Sequence, residues 1–434
     1  MHIQKMHTAT LPHHWVSIWS SAAAPITLIP NDAASESPHL ESHRLRPVHF
    51  PDTTIRQTFR VTLGAQRIRL TVSNECGDSD LSLSAITVAK TAPKKDGVTA
   101  GSPLTFEKTL QTVKFGLKPT LVIPPGSTAI SDDIALELSS LTDITVSIYL
   151  ASGESGAAVT GHFDGKADTW LQQGDVTRSS RLNNPTSLHH SFYVTEIKGW
   201  LPQDYSAIAC FGDSITDRGD SYLPHNEYRG WIDVLSSRLA DISLRLSVLN
   251  FGISGDQVYA GGLARFDRDV LLASGVKYVI IHMGVNDIGI TPPTAEAQDG
   301  LYNRLIYAYR QLITKARARS LVVIGTTIMP FLAPPSWPTP WQFAHVKRET
   351  TRQRINAWLV NEADFDHLID FSAVVTDPDC PQRIRKEYQL CDFLHPSHEG
   401  YEAMGKAIDI EKIFEREGGC LKEIEVGTPQ NGTA

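Results

Sequence analysis

The stretch Ala209-Cys210-Phe211-Gly212-Asp213-Ser214-Ile215-Thr216-Asp217 determines how the second half of the chain is interpreted. Residues 205–211 are apolar enough for a short buried strand, and polar turn residues follow before a helical pattern begins near Tyr228. A serine at the carboxyl end of a strand, followed by a turn into a helix, is where α/β enzymes place reactive groups. Because Gly-Asp-Ser also forms ordinary turns, the interpretation depends on segments elsewhere in the chain.

Beyond Pro202, strand and helix patterns alternate. Strands are predicted at 244–250, 276–283, 321–328 and 368–371, and helices at 263–273, 294–319, 344–360 and 397–414. The apolar, β-branched run 276–283 is suited to a central strand of a parallel sheet. The pattern predicts a three-layer α/β domain with a doubly wound sheet over residues 203–434.

The preceding residues have the pattern of an all-β domain. Short alternating strands are predicted at 58–63, 67–72, 83–89, 112–115, 120–123, 134–138, 144–150 and 191–198, with turn signals between them. This arrangement predicts a β-sandwich or jelly-roll domain over residues 15–202. Residues before about Trp15 are expected to be disordered, and the polar, Gly-rich stretch 153–187 is expected to form a long surface loop.

Composition narrows the class of protein. The chain has 434 residues, of which 41% are apolar and 20% charged, and its formal net charge is −8, as in a soluble protein of about two domains. No basic stripe suggests nucleic acid as a partner, and no apolar run approaches the ~18 residues of a membrane span. Because residues 1–12 lack the apolar core of a secretory signal, we expect a cytoplasmic protein, or a secreted one if a leader has been removed. Cys380 and Cys391 could be bridged or could be thiols.

Four segments fall at the predicted carboxyl ends of strands or just before the last helix, and they contain Ser214, Gly252, Asn286 and the pair Asp392 and His395. Acyl transfer needs a nucleophile, a base that takes its proton and an acceptor that holds the base. Ser214, His395 and Asp392 fit those roles in that order. The carbonyl oxygen also needs donors, for which the N–H groups of Ser214 and Gly252 and the amide of Asn286 are candidates.

These four segments, in this order, resemble the SGNH hydrolases, also called GDSL-like lipases and acylhydrolases, over roughly residues 206–414. The hallmark Ser, Gly, Asn and His correspond to Ser214, Gly252, Asn286 and His395, and the residues before them resemble the β domain attached to one branch of the family. The resemblance implies a flavodoxin-like sheet and ester hydrolysis through an acyl-enzyme, without a metal or an organic cofactor. Arg218 and the pair 282–283 depart from the family pattern and could reshape the substrate pocket.

Each assignment has a structural alternative. Ser214 could only cap a helix, and Asn286 could only form a turn. His398 is a rival base, but no aspartate lies three residues before it, and Asp370 is a weaker rival for the acid role. Substrate-binding candidates are Arg218 and Met283, together with Trp337 and Trp341 in a Pro-rich loop that leaves a strand end.

The sequence as a whole predicts a serine esterase acting on acetyl or other short-chain esters. One alternative is an acyltransferase with the same residues, and another is a carbohydrate-binding or interaction protein with an idle hydrolase fold. No Gly-x-Ser-x-Gly elbow, phosphate loop or dinucleotide motif is present. The pair His39 and His43 is not expected to bind a metal. The β domain is expected to form one rim of the site or to support a homodimer.

Overall fold

A computed structural model of the chain describes residues 11–27, 49–163, 165–218, 226–334 and 343–414. The strands are β1 (His13–Ser20), β2 (Ala24–Thr27), β3 (Thr53–Val61), β4 (Ala65–Ser73), β5 (Leu81–Leu83), β6 (Ala85–Lys90), β7 (Gln111–Thr112), β8 (Leu121–Ile123), β9 (Thr128–Ile130), β10 (Ile134–Leu138), β11 (Thr142–Leu150), β12 (Ala158–His162), β13 (Thr169–Gln173), β14 (Thr186–Leu188), β15 (Ser191–Phe192), β16 (Val194–Pro202), β17 (Ser206–Gly212), β18 (Leu246–Gly252), β19 (Val276–His282), β20 (Val322–Thr326) and β21 (His367–Ile369).

The α-helices all follow the last antiparallel strand among the described residues. They are α1 (Ser214–Asp217), α2 (Trp231–Asp241), α3 (Leu263–Phe266), α4 (Val285–Ile290), α5 (Ala295–Arg317), α6 (Val346–Asn361), α7 (Phe371–Val375), α8 (His398–Ala407) and α9 (Ile410–Ile413). Two π-helical turns, Val258–Gly262 and Asp267–Leu271, flank α3, so the helix expected at 263–273 is irregular at both ends.

Strands β1 to β16 form mostly antiparallel sheets, as the sequence predicts. The largest has six strands in the order β14-β13-β3-β11-β6-β7, and a second runs β1-β16-β4-β10 with β9 paired to β4. Alternating burial along β10 shows the period of two that identified it. The division into domains 15–202 and 203–434, and the sandwich arrangement, stay predictions.

The prediction of a long loop at 153–187 was wrong, because that stretch contains β12, β13 and the first residues of β14. β12 pairs with β2, and β13 pairs with β3. Four of the five residues of β13, Thr-Trp-Leu-Gln-Gln, are only partly buried or exposed. Its sequence therefore lacks the alternation of apolar and polar residues that predicts a strand. β1 also begins two residues before the expected ordered start at Trp15.

The second part of the chain is α/β, and the predicted fold class is confirmed. Its five strands are parallel and lie in the order β18-β17-β19-β20-β21. This is the flavodoxin-like order, in which sites form at the carboxyl ends where the strand order reverses. Six of the seven residues of β17 are buried, as in a strand covered on both faces.

The two parts of the chain meet along β18, an edge strand of the parallel sheet. The carbonyl of Ser17 on β1 accepts a hydrogen bond from Ser247 Oγ at 2.5 Å. Thr62 Oγ1, next to β3, accepts one from the backbone N–H of Val248 at 3.1 Å. Buried side chains from both parts form one connected hydrophobic cluster. The antiparallel region therefore covers an edge that would otherwise present unpaired backbone groups.

Two glycines let α1 lie directly against the strand ends. Gly212 and Gly252 are paired in register on β17 and β18. A Cβ atom on Gly252 would lie 2.3 Å from the backbone nitrogen of Asp217, and one on Gly212 would lie 2.1 Å from Thr216 Oγ1. Only glycine permits so close an approach between these strands and the helix that begins at Ser214.

We predict that Gly252→Ala lowers the free energy of unfolding by about 1–3 kcal/mol, because the new methyl group must displace backbone rather than a flexible side chain. Gly300→Ala is the control, since its Cβ would meet only the Arg304 side chain at 3.6 Å within α5. Helix propensity should make that control neutral or slightly stabilising. Urea unfolding of both variants measures the difference, and equal stability of Gly252→Ala and the wild type would contradict the packing argument.

Candidate active site

Ser214 is the first residue of α1, and its position follows from local capping. The carboxylate of Asp213 accepts the N–H of Ile215 at 3.1 Å and so caps the helix. The Ser214 hydroxyl lies 2.9 Å from Nε2 of His395, which is 181 residues away in the chain. His395 lies in the loop before α8. The structure thus brings together the serine and the histidine that the sequence singled out.

Asp392 holds the other side of the His395 ring. Its Oδ2 lies 2.5 Å from His395 Nδ1, and its Oδ1 accepts the backbone N–H groups of Leu394 and His395 at 3.0 and 2.9 Å. Burial alone would raise the pKa of Asp392, but these hydrogen bonds and the nearby imidazole hold it below its usual value. An ionised carboxylate can only accept, so Nδ1 carries the proton, and Nε2 is left to accept from the Ser214 hydroxyl.

The two rivals for these positions have other partners. Nε2 of His398 lies 3.6 Å from a carboxylate oxygen of Glu227. Asp370 caps α7, where its Oδ1 accepts the N–H of Ala373 at 3.0 Å and the hydroxyl of Thr327 at 2.7 Å. Both contacts have ordinary structural roles.

The structure corrects the expectation that Gly252 offers a free N–H group, because this group donates to Asn250 Oδ1 at 2.9 Å. Three residues later, Gly255 has φ +79 and lies at the third position of a tight turn closed by the N–H of Asp256 on the carbonyl of Ile253. Within the described ranges, no acceptor is recorded for the N–H of Gly255. Sequence reasoning missed it, although its glycine-demanding turn was a usable signal.

Asn286 lies in the first turn of α4, which begins after Gly284 at φ +113. Its side-chain nitrogen donates to the carbonyl of Asp256 at 3.0 Å, next to Gly255. Because an amide nitrogen carries two N–H groups, one remains available. The N–H of Ser214 likewise has no recorded acceptor in the part of the chain that the structure describes, as expected at a helix N-terminus. Ser214, Gly255 and Asn286 can each donate one hydrogen bond.

Arg265 joins the carboxyl ends of β17 and β18 by hydrogen bonds, and the sequence analysis did not identify it. Its guanidinium donates to the carbonyls of Gly212 and Phe251 at 2.9 and 2.8 Å, and to the carboxylates of Asp256 and Asp269 at 2.7 and 2.9 Å. The planar, many-donor group suits this task, since a lysine could not span four acceptors in fixed directions. No motif distinguishes this arginine from a surface helix residue.

Two further carboxyl groups are buried near the site without a cationic partner in direct contact. Burial raises the pKa of Asp213 to about 7 and that of Asp287 to about 6. Asp287 accepts the backbone N–H groups of Val258 and Tyr259 at 2.9 and 3.3 Å. Both aspartates therefore cap backbone groups, and desolvation favours their protonated forms.

The four substrate-binding candidates fall into two pairs. Arg218 and Met283 are 7% and 3% exposed, and Arg218 donates to the carbonyl of Glu227. Their proposed roles stay predictions. Trp337 and Trp341 lie outside the described residues, as do His39 and His43. The unusual His282 is a core residue whose Nδ1 lies 2.7 Å from Thr326 Oγ1, and burial lowers its pKa to about 3.

Three other sequence expectations concern groups away from the site. Cys380 and Cys391 are both free thiols. In the described ranges, His, Cys, Asp and Glu side chains do not form a group of three suited to a metal ion. None of the helices described here combines the length and apolar character that a bilayer crossing requires.

Comparison with known proteins gives matches to the second part of the chain. Residues 210–403 match the model of the GDSL-like lipase/acylhydrolase family. Similar solved structures include a GDSL-like lipase from Bacteroides thetaiotaomicron, with 21% identity over 46% of this chain and 85% of that one and a TM-score of 0.34. A member of the lipolytic G-D-S-L family from Veillonella parvula has 22% identity over 49% and 99%, with a TM-score of 0.35. A carbohydrate acetylesterase from Sinorhizobium meliloti has 19% identity over 46% and 95%, with a TM-score of 0.36. The comparison with curated proteins gave no match.

The protonation of Asp213 leads to a prediction about stability. Its pKa is raised from 3.8 to about 7 by folding, so the folded state binds more protons than the unfolded state between these values. The stabilisation is complete below pH 3.8 and is lost as the pH rises through about 7. We expect Asp213→Asn, which keeps a capping oxygen, to reduce this decline by on the order of 1–4 kcal/mol.

Urea unfolding of Asp213→Asn and the wild type at pH 5 and pH 8 measures this effect. Asp287 should leave a residual decline in the variant, since its pKa is also raised. Parallel pH dependences for the two proteins would show that Asp213 is ionised in the folded state at both pH values.

Proposed function

From the match of residues 210–403 to the GDSL-like lipase/acylhydrolase family, we propose that the protein is a serine esterase that hydrolyses acetyl and other short-chain carboxylic esters through an acyl-enzyme. The observation that carries the proposal is the continuous hydrogen-bonded series from Ser214 through His395 to Asp392. A serine hydroxyl is a weak nucleophile on its own, and a base in contact with it, oriented by a third group, is the arrangement that activates it.

In the proposed acylation step, Ser214 Oγ attacks the ester carbonyl while its proton moves to Nε2 of His395. The resulting imidazolium is stabilised by the carboxylate of Asp392, which stays ionised. The same Nε2–H then protonates the leaving alcohol as the carbon–oxygen bond breaks. Ser214 is left as an ester, and His395 is again neutral.

The tetrahedral intermediate carries a negative charge on the former carbonyl oxygen. We assign three donors to it, namely the backbone N–H groups of Ser214 and Gly255 and the remaining side-chain N–H of Asn286. Gly255 replaces Gly252 in this role because the N–H of Gly252 is already bonded to Asn250. Losing one such donor typically lowers the rate by ~10²–10³.

In the proposed deacylation step, water gives a proton to Nε2 of His395 and attacks the acyl-enzyme. Nε2 then returns this proton to Ser214 Oγ as the ester bond breaks, which releases the acid and restores both residues. The preference for a short acyl group is part of the proposal, and hydrolysis rates on esters of increasing acyl length would test it.

We predict that Ser214→Ala abolishes hydrolysis of 4-nitrophenyl acetate and leaves the fold intact, because the nucleophile is lost and no larger group is introduced. The expected loss is about 10⁴-fold or more in kcat. Ser237→Ala on α2 is the control, since its hydroxyl is exposed and donates within the helix to Asp233. Circular dichroism checks the fold, and products formed with and without an added alcohol separate hydrolysis from acyl transfer. Turnover of Ser214→Ala at the wild-type rate would refute the proposal.

A second pair of variants distinguishes the two histidines. His395→Ala should lower kcat by roughly 10³-fold or more, because Ser214 then lacks a base. His398→Ala should stay within a few-fold of the wild type, since its ring contacts Glu227. Steady-state kinetics on the same ester gives both values. A large loss in His398→Ala together with an active His395→Ala would reverse the assignment.

A further inference from the structure

The helix that presents Ser214 cannot hold its position unaided. α1 has four residues, and nucleation makes so short a helix unstable in isolation. It ends at Arg218, which has φ +61, a conformation that is uncommon for residues other than glycine. Contacts from elsewhere in the fold must therefore fix both the helix and the serine at its start.

Asp217, the last residue of α1, makes the strongest of these contacts. Its backbone lies against Gly252, and the residue as a whole is 1% exposed. The carboxylate reaches out of the α/β part of the chain to His162 on β12, whose Nε2 lies 2.9 and 3.0 Å from the two carboxylate oxygens. Lys166 Nζ lies 3.4 Å from one of them. Burial would raise the pKa of Asp217, but these two cations lower it, so the carboxylate is ionised.

His162 is held from both sides by acceptors. Its Nδ1 lies 3.0 Å from the backbone carbonyl of Ala22, which follows β1, and its Nε2 faces the ionised carboxylate. A carbonyl and a carboxylate can only accept hydrogen bonds, so both ring nitrogens carry protons. The ring is then a buried imidazolium paired with a buried carboxylate across the junction between the two parts of the chain. Removing His162 would leave the buried carboxylate only partly compensated, by Lys166 at 3.4 Å.

We propose that His162 is a positioning residue for the nucleophile: the antiparallel region uses it to fix α1 through Asp217, and thereby to aim the Ser214 hydroxyl at His395. His162 does not touch the reacting atoms. The inference about activity rests on the proposed esterase function, whereas the inference about the position of α1 does not. A role of this kind also gives the antiparallel region a part in catalysis without any direct contact with the substrate.

The test uses the full-length chain with His162→Gln and His162→Phe. Glutamine keeps one donor towards Asp217, and phenylalanine removes both donors at similar volume. His14→Gln is the matched control, because His14 also joins the two parts, with Nε2 2.9 Å from the carbonyl of Tyr205, but does not touch α1. Readouts are kcat and KM on 4-nitrophenyl acetate and amide hydrogen exchange of the peptide 211–218.

We expect kcat to fall about 10- to 100-fold in His162→Phe and less in His162→Gln, with KM nearly unchanged, because displacement of a nucleophile by about 1 Å has effects of this size. Exchange in 211–218 should accelerate in the same order, and His14→Gln should change neither quantity. In the double variant His162→Phe, Asp217→Asn, part of the loss should be recovered, since the buried charge that has lost its histidine partner is removed.

Wild-type exchange in 211–218 for both His162 variants would overturn the proposal, as would a fall in kcat no larger than that of His14→Gln. If the wild type neither hydrolyses esters nor reacts at Ser214 with a serine-directed fluorophosphonate, the proposed function fails instead. The exchange result then still decides whether His162 holds α1. His162→Gln serves this purpose even if His162→Phe does not fold.

Discussion

The close approach of α1 to the ends of β17 and β18 is the constraint on which the site depends. Gly212 and Gly252 have no side chains, so the backbone of the short helix lies on the strands and its first residue meets the loop before α8. Arg265 then bonds the carbonyl of Gly212 and that of the neighbouring strand, which fixes the spacing beneath the helix. The proposed chemistry of Ser214 follows from this packing rather than from any property of the serine itself.

Burial and hydrogen-bond partners divide the aspartates of the site into two groups. Asp217 and Asp392 each face an imidazole, and their pKa values are lowered although they are removed from water. Asp213 and Asp287 receive mainly backbone N–H groups, and burial raises their pKa values towards neutrality. Charge is thus held on the two carboxylates that face a histidine, while burial favours protonation of the other two, which limits repulsion between these aspartates.

The sequence predicted the parallel sheet and the meeting of Ser214 with His395, because reactive residues followed apolar strands and the carboxyl ends of parallel strands share one edge. It could not choose between Gly252 and Gly255, since composition does not reveal which N–H group is already bonded. It missed His162 because the surrounding segment is polar and glycine-rich, and the groups that its ring contacts, on Ala22 and Asp217, lie 140 and 55 residues away along the chain. Contacts between distant segments leave no local pattern.

The covering of β18 by Ser17 and Thr62 has a consequence for how this protein could change over time. An uncovered edge strand of a parallel sheet can pair with strands of other molecules. The α/β part would therefore be prone to aggregation if it were separated from the antiparallel region. Splitting the chain at this junction is therefore expected to expose β18. The two parts should be inherited as a unit. Substitutions in β18 should be accompanied by compensating substitutions in the antiparallel residues that contact it.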